Sequence, residues 1–181
     1  MKLGAAIAEI MRREGIEILC GYPVNHLIEF AAAVNIRPIM VRQERIGLHM
    51  ADAISRVTSG GSIGAFCMQH GPGSENAMGG VAQCYGDSVP VLVLPMGYAR
   101  RLAHIDPNFN STQAMKAFSK SSEPIILASE VCNIFRRAFT KLKNGRGGPV
   151  LVEIPADMWN EEVPEPPAYT PGLRTRYRPD P

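Results

Sequence analysis

A glutamate and a glycine-rich turn are the residues of this sequence whose types could support chemistry. Glu44 follows an apolar run and opens an amphipathic segment, so its carboxylate, partly withdrawn from water, could share a proton with a heterocyclic nitrogen. Gly71-Pro72-Gly73 follows a second apolar run, and its two glycines would let the backbone approach a flat ring closely. Each feature also has a purely structural explanation, because helices favour a glutamate in their first turn and Gly-Pro-Gly forms tight turns.

Metal ligation and phosphate binding by a glycine loop are not indicated. The four histidines form no HxxxH pair and the four cysteines form no CxxC pair, so no metal site is predicted. Neither GxGxxG after the first apolar run nor GxxxxGK[ST] occurs, which disfavours the usual nucleotide sites and a flavodoxin-like module. We interpret four residues as reduced thiols of the core: Cys20, Cys67, Cys84 and Cys132.

The elements that must position these residues alternate between helical and extended apolar spacing. Helices are predicted at 3–13, 25–34, 45–58, 74–85 and 130–142, and strands at 16–20, 37–41, 62–68, 89–94 and 150–154, with an uncertain segment at 122–127. This order predicts an α/β fold of three layers, α/β/α, around a mostly parallel sheet of about six strands. Ligands of such folds bind at the carboxyl ends of the strands, where Glu44 and the Gly71-Pro72-Gly73 turn are expected.

Composition limits the classes of protein to consider. The chain has 181 residues, 45% of them hydrophobic, and a formal charge of +2, which is typical of one globular domain and gives no basic surface for nucleic acid or anionic membranes. No apolar run of about 18 residues and no signal peptide is present, so we expect a cytoplasmic protein. Seven of the fifteen prolines lie between Pro155 and Pro181, and we predict that residues 161–181 are a linker.

The order of six motifs identifies a family resemblance. They are Gly21-Tyr22-Pro23, Glu44, Ala51 to Gly60 (ADxxxRxTxG), His70 to Asn76 (HGPGxxN), Asp87 to Pro90 (DSxP) and Gly147 to Asp157 (GGPVxVEIPxD). This series resembles the N-terminal pyrimidine-binding domain of thiamine-diphosphate-dependent enzymes, in the branch of acetolactate synthase, pyruvate oxidase and benzoylformate decarboxylase. The resemblance extends over residues 1–160 and implies the thiamine-diphosphate-binding fold.

The resemblance implies roles for particular residues. Glu44 matches the catalytic glutamate that hydrogen-bonds nitrogen 1′ of the cofactor's aminopyrimidine and thereby activates it. The cofactor-binding residues implied are Pro23, Glu44, Gly71, Pro72, Gly73 and Asn76. The positions expected to face substrate are Val24, Asn25, His26, His70 and Gln113. Two of these positions depart from the usual pattern, because Val24 replaces a glycine and His70 replaces a small residue. Beside them, Arg45 follows the glutamate where relatives have glutamine.

The family function implied is decarboxylation or carboligation of 2-oxo acids with thiamine diphosphate. Relatives hold the diphosphate through Mg²⁺ in a second domain with a Gly-Asp-Gly motif, which Gly86-Asp87-Ser88 does not match. We therefore expect the chain to be inactive alone, to pair with a diphosphate-binding domain in a second subunit of a homo-oligomer, at least a dimer, and to bind FAD only if a central domain follows. Two alternatives remain: the small subunit of a split 2-oxo-acid decarboxylase similar to sulfopyruvate decarboxylase, and a non-catalytic scaffold.

Overall fold

A single parallel sheet with helices on both faces forms the centre of the molecule. The computed structural model describes residues 1–165 and 167–175. The helices are α1 (Leu3–Arg13), α2 (Leu27–Ala33), α3 (Glu44–Val57), α4 (Pro72–Gly86), α5 (Ser111–Ala114) and α6 (Val131–Lys143). The strands are β1 (Ile18–Gly21), β2 (Arg37–Met40), β3 (Gly64–Met68), β4 (Val91–Gly97), β5 (Ser121–Pro124) and β6 (Val150–Pro155). Short 3-10 turns occupy Lys116–Phe118 and Ala128–Glu130.

The strand order is β2-β1-β3-β4-β6-β5, and every pairing is parallel. Alternate side chains of β4 enter opposite layers: Leu92 and Leu94 pack with α1, α2 and α6, whereas Val91 and Val93 pack with α3 and α4. The three-layer prediction is thereby confirmed. The uncertain segment at 122–127 contains β5, an edge strand whose residues are only half-buried, which explains its weak apolar signal.

Helix α3 faces the sheet with Leu48 and several small residues, while Ile46 and Val57 point outward. Gly47 lies so close to the Phe66 ring that a Cβ there would collide with it, and Gly64 of β3 approaches the Ala51 carbonyl equally closely. Five residues form the apolar face predicted from helical spacing: Ile46, Met50, Ala53, Ile54 and Val57. Of this face, Met50 and Ile54 are partly buried against the core, whereas Ile46 is 51% and Val57 82% exposed.

The cysteines lie where the sequence placed them. All four are free thiols; three are buried and Cys132 is partly buried. Burial raises the pKa of the Cys20 thiol to about 11 and, together with the neighbouring Asp52 carboxylate, raises that of Cys84 to about 12. Both therefore remain protonated, as unreactive core residues do.

The described part of the predicted linker packs against the domain. We call residues 161–165 and 167–175 the strap. Its Val163 and Tyr169 belong to the core cluster that includes α1 and α6, and Arg13 donates hydrogen bonds to the carbonyls of Pro167 and Tyr169, both at 3.2 Å. Pro166 and residues 176–181 of the predicted linker lie outside the described residues, and the existence of a further domain remains a prediction.

Glu14 is the polar anchor of the strap. Its side chain is wholly buried and pairs with Lys143, while Tyr169 donates its hydroxyl to Oε1 and the Gly172 amide donates to the same oxygen at 3.3 Å. Asn144 adds two contacts further along, donating to the Leu173 carbonyl at 3.1 Å and accepting from the Thr175 amide at 2.7 Å. Proline content alone therefore does not make this segment a free linker.

None of the helices in residues 1–165 and 167–175 is long and apolar enough to cross a membrane.

Candidate functional site

The carboxyl ends of β1, β2 and β3 bring the predicted site residues to one edge of the sheet. Gly21 is in register with Met40 of β2 and with Cys67 of β3, so the three strands end level with one another. Two further hydrogen bonds extend this alignment: the Val41 amide donates to the Gly21 carbonyl at 3.0 Å, and the Tyr22 amide donates to the Cys67 carbonyl at 3.1 Å. The segments that follow the strands therefore start side by side.

Glu44 is the first residue of α3 and is only 6% exposed. The Asn76 side chain of α4 donates from Nδ2 to its Oε2 at 2.5 Å. Within the described part of the chain, no hydrogen bond reaches Oε1. One oxygen of a buried carboxylate is thus held by the protein while the other remains available, which is the arrangement needed to share a proton with a ligand nitrogen.

The Gly71-Pro72-Gly73 turn lies directly beside this carboxylate. A Cβ at Gly73 would come within 3.3 Å of Glu44 Oε1 and 2.6 Å of Gln69 Cγ, so glycine keeps open the space next to the available oxygen. Gly71 has φ +57°, which glycine adopts without the strain that other residues incur. Helix α4 begins at Pro72, two residues before the predicted start at residue 74, because proline suits the first helical position.

Tyr98 is a site residue that the motif search did not single out. It directly follows β4, and its hydroxyl lies 2.8 Å from the position a Cβ would take at Gly71. Its ring also meets the His70 ring edge-on, with centroids 4.4 Å apart and planes at 71°. Ligands of parallel α/β folds bind just after the ends of strands, and Tyr98 directly follows the fourth strand at the same carboxyl edge of the sheet.

Asn25 has a structural role that its sequence position did not reveal. It is buried, and its Nδ2 donates to the carbonyls of Met68 at 2.9 Å and Leu94 at 3.2 Å, tying together the ends of β3 and β4. Its Oδ1 accepts from the Leu27 amide at 3.0 Å, where α2 begins. Both donor hydrogens are therefore used within the protein, and a contact of Asn25 with substrate stays a prediction.

The other predicted substrate-facing residues are dispersed. Val24 is exposed on the loop after β1, next to Pro23, which is predicted to bind the cofactor and is also exposed. His26 packs edge-on against Trp159 with ring centroids 5.8 Å apart. Gln113 lies in α5 and lines a cavity of about 470 Å³ together with His104, in the irregular segment after β4. The structure brings together Glu44, Gly73 and Asn76, with His70 and Tyr98 at Gly71, whereas the described contacts do not join His26 or Gln113 to them.

Comparison with known proteins decides the family. The family model described as "Thiamine pyrophosphate enzyme, N-terminal TPP binding domain" matches residues 1–122. This range includes all the residues that the structure brings together around Glu44: His70, Gly71, Gly73, Asn76 and Tyr98. The chain belongs to this family. Its TPP-binding domain also resembles a crystal structure of benzoylformate decarboxylase from Polynucleobacter necessarius, with a TM-score of 0.84 over 99% of this chain and 34% of that one, at 21% identity. At that identity the likeness shows the fold alone.

Acetolactate synthase large subunits are similar to this TPP-binding domain in sequence. The protein from Haemophilus influenzae is 31% identical over 170 residues, and that from Parasynechococcus marenigrum is 33% identical over 182 residues. These matches include 90% and 93% of this chain but only 29% of each relative. The chain therefore spans less than a third of the length of these relatives.

Proposed function

We propose that this TPP-binding domain forms the pyrimidine half of the active site in an acetolactate-synthase-like enzyme that decarboxylates or carboligates 2-oxo acids. The observation that carries the proposal is the buried Glu44 carboxylate, with Oε2 held by Asn76 and Oε1 beside Gly73. These residues fit an aminopyrimidine, because Oε1 can accept or share a ring proton and the glycine turn leaves room for a flat ring. When bound, thiamine diphosphate supplies the carbanion chemistry.

Glu44 is the residue we expect to exchange a proton with the cofactor ring. The Asn76 amide holds Oε2 and thereby keeps the largely buried carboxylate group in one orientation. Glu44 also lies in the first turn of α3, beside the unpaired amides of the helix N-terminus, which carry partial positive charge. The domain thus contributes orientation and proton exchange rather than phosphate binding.

We further propose that the site is completed by a diphosphate-binding domain of a second subunit, which brings Mg²⁺, and that the chain is inactive without it. In support, the similar acetolactate synthase subunits are more than three times as long as the matched region. The outward face of α3 offers a surface for that domain, since Ile46 is exposed only two residues from Glu44. A partner docked there would close the site from the side that now faces water.

Binding of thiamine to the isotopically labelled chain tests the cofactor proposal without any need for turnover. Thiamine and thiamine diphosphate with MgCl₂ should bind with similar, weak affinities and shift the backbone amides of Gly71, Gly73 and Glu44, because only the pyrimidine half is contacted. Glu44→Gln should abolish these shifts. Glu29→Gln, which changes an exposed glutamate in the first turn of α2, is the matched control and should leave them intact.

Binding unaffected by Glu44→Gln would refute the assigned role of Glu44. Thiamine diphosphate binding much more tightly than thiamine would place a phosphate site on this chain and refute the two-domain proposal. In an enzyme assembled with a diphosphate-binding domain, Glu44→Gln should lower kcat for pyruvate by about 10²–10⁴, the usual worth of a general acid–base group. Unchanged turnover in that variant would support a scaffold role instead.

Charged substitutions on the outward face of α3 test whether this face is the docking surface. Ile46→Glu and Val57→Glu should leave the stability of the chain nearly unchanged, because both side chains are exposed, but should dissociate the assembled enzyme in sedimentation velocity experiments. Leu173→Glu on the strap is the matched control, an exposed apolar residue away from α3. An intact assembly in both α3 variants would exclude this face as the interface.

A further inference from the structure

A second buried carboxyl group lies on β6, outside the cluster formed by Glu44, Gly73 and Asn76. Glu153 of β6 is 8% exposed, and its burial raises the pKa of the carboxyl group. Ser111 donates its hydroxyl to Oε2, and this hydroxyl, the Ser111 amide and the nearby His104 each partly offset the rise in the pKa of Glu153. No side chain of the described residues donates to Oε1. Oε1 lies over Gly97 of β4, where a Cβ would come within 2.7 Å of it, so glycine at residue 97 makes room for the carboxylate. The mechanism proposed for Glu44 does not use this group.

Glu153 lines a cavity of about 290 Å³ whose other walls are largely apolar. We call this space, bounded by Pro124, Ile125, Ile126, Glu153, Pro155 and the imidazole of His104, the Glu153 cavity. Ile125 is fully buried, while Ile126 is 66% exposed at the rim, so the apolar wall extends from the carboxylate out to solvent. A ligand that fits must combine a hydrogen-bond donor with a short hydrocarbon body.

The charges around the cavity favour a cation. Arg100, which also lines it, donates to Asp157 at 3.0 Å and pairs with Glu161. Glu153, Arg100 and His104 line the cavity, whereas Asp157 and Glu161 lie outside its lining. Because those two carboxylates already engage Arg100, Glu153 has no salt-bridge partner within the described part of the chain. A cationic donor at Oε1 would lower the raised pKa of Glu153 and offset its burial, as an opposite charge does for any buried acid.

The Glu153 cavity is separate from the Glu44 site. None of the Glu44 site residues, namely Glu44, His70, Gly71, Gly73, Asn76 and Tyr98, is among the residues that line the Glu153 cavity. The turn beside Glu44 follows β3, and Glu153 lies on β6, which is two interstrand spacings, or roughly 10 Å, from β3. We propose that the cavity is a second ligand site of this domain, which binds a small molecule with a primary ammonium group on a short aliphatic body.

Titration of the ¹⁵N-labelled chain with n-butylammonium chloride tests the site. The salt should cause saturable shifts of the backbone amides of Gly97, Ser111 and Glu153 at constant ionic strength. Glu153→Gln, which keeps the shape and removes the charge, should weaken binding at least about tenfold. Glu161→Gln removes a carboxylate of the same region that does not line the cavity and should weaken it far less. n-Butanol has the same hydrocarbon body without the charge and should bind more weakly than n-butylammonium.

Equal affinity in the wild type and Glu153→Gln, equal affinity for n-butanol, or the absence of saturable shifts would each overturn the proposal. If Glu153→Gln does not fold, the Ala103→Leu variant tests the site instead. Its larger side chain fills the cavity from the loop after β4 and leaves Glu153 in place. Binding should then be lost, and its persistence would count against the site. No thiamine is present in this experiment, so its outcome is independent of the function proposed above.

Discussion

Asn76 of α4 donates a hydrogen bond of 2.5 Å to the Oε2 atom of Glu44 at the start of α3. The motif resemblance implies that both residues contact the cofactor, but the structure joins them directly to each other. One amide thus fixes the orientation of the carboxylate and leaves Oε1 beside Gly73. Asn76 is accordingly a positioning residue, and its effect on chemistry should pass through Glu44.

Asn76→Ala should therefore weaken the function of Glu44 without abolishing it. A hydrogen bond to a charged group contributes about 1.5–3 kcal/mol, so thiamine binding to the chain should weaken roughly ten- to a hundredfold, less than in Glu44→Gln. The measurement is the amide-shift titration with thiamine. Asn133→Ala is the control, because Asn133 donates to Glu130 on the surface of α6 and should not affect thiamine. Affinity unchanged in Asn76→Ala would mean that Glu44 is oriented without it.

Alanine at either glycine of the Gly71-Pro72-Gly73 turn should lower the free energy of unfolding, because its side chain would be strained or would collide with a neighbour. Gly71→Ala places a side chain at positive φ, with its Cβ 2.8 Å from the Tyr98 hydroxyl, and should destabilise by about 1–3 kcal/mol. Gly73→Ala should cost a similar amount, since its Cβ would lie 2.6 Å from Gln69 Cγ. Urea denaturation of the chain measures both. Gly79→Ala in the middle of α4 meets nothing within 4 Å and should be neutral or stabilise by up to about 1 kcal/mol.

Loss of Glu14 should release the strap. Glu14→Ala leaves Lys143 without its partner in a largely buried position, which should cost about 3 kcal/mol of unfolding free energy. Tyr169→Phe removes only the hydroxyl bond and should cost about 1 kcal/mol. Urea denaturation gives the stabilities, and limited proteolysis should cleave Glu14→Ala first within residues 167–175. A free linker, by contrast, would be cleaved equally fast in the wild type.

Glu153 gives the domain a specific dependence of stability on pH. Its pKa in the folded state is raised above the ordinary value of 4.5, mainly by burial, so the protonated form is the one that folding favours. The associated stability is fully present below the unfolded-state pKa and is lost as pH rises through the folded-state pKa. Glu153→Gln should therefore raise Tm at pH 7 and have a smaller effect near pH 4. An equal difference in Tm at both pH values would contradict the raised pKa.

Much of the fold could be predicted because it is encoded locally. The strand 62–68 and the helix 130–142 came from apolar periodicity, and the structure has them as Gly64–Met68 and Val131–Lys143. Segment 122–127 was ambiguous because β5 lies at the edge of the sheet and lacks a continuous apolar run. Periodicity also could not predict that part of the apolar face of α3 points outward, because residue spacing identifies an apolar face but not which face of the helix meets the sheet.

The sequence by itself determined the order of helices and strands, the parallel sheet, and the placement of Glu44 and the Gly71-Pro72-Gly73 turn at its carboxyl edge. These follow from short-range spacing and from motif order. Only the tertiary structure decided that Asn76 holds Glu44, that Asn25 ties β3 to β4, and that Tyr169 anchors the strap on Glu14. Each of these contacts joins residues at least 32 positions apart, and the direction of a side chain across such a separation depends on packing that local spacing does not specify.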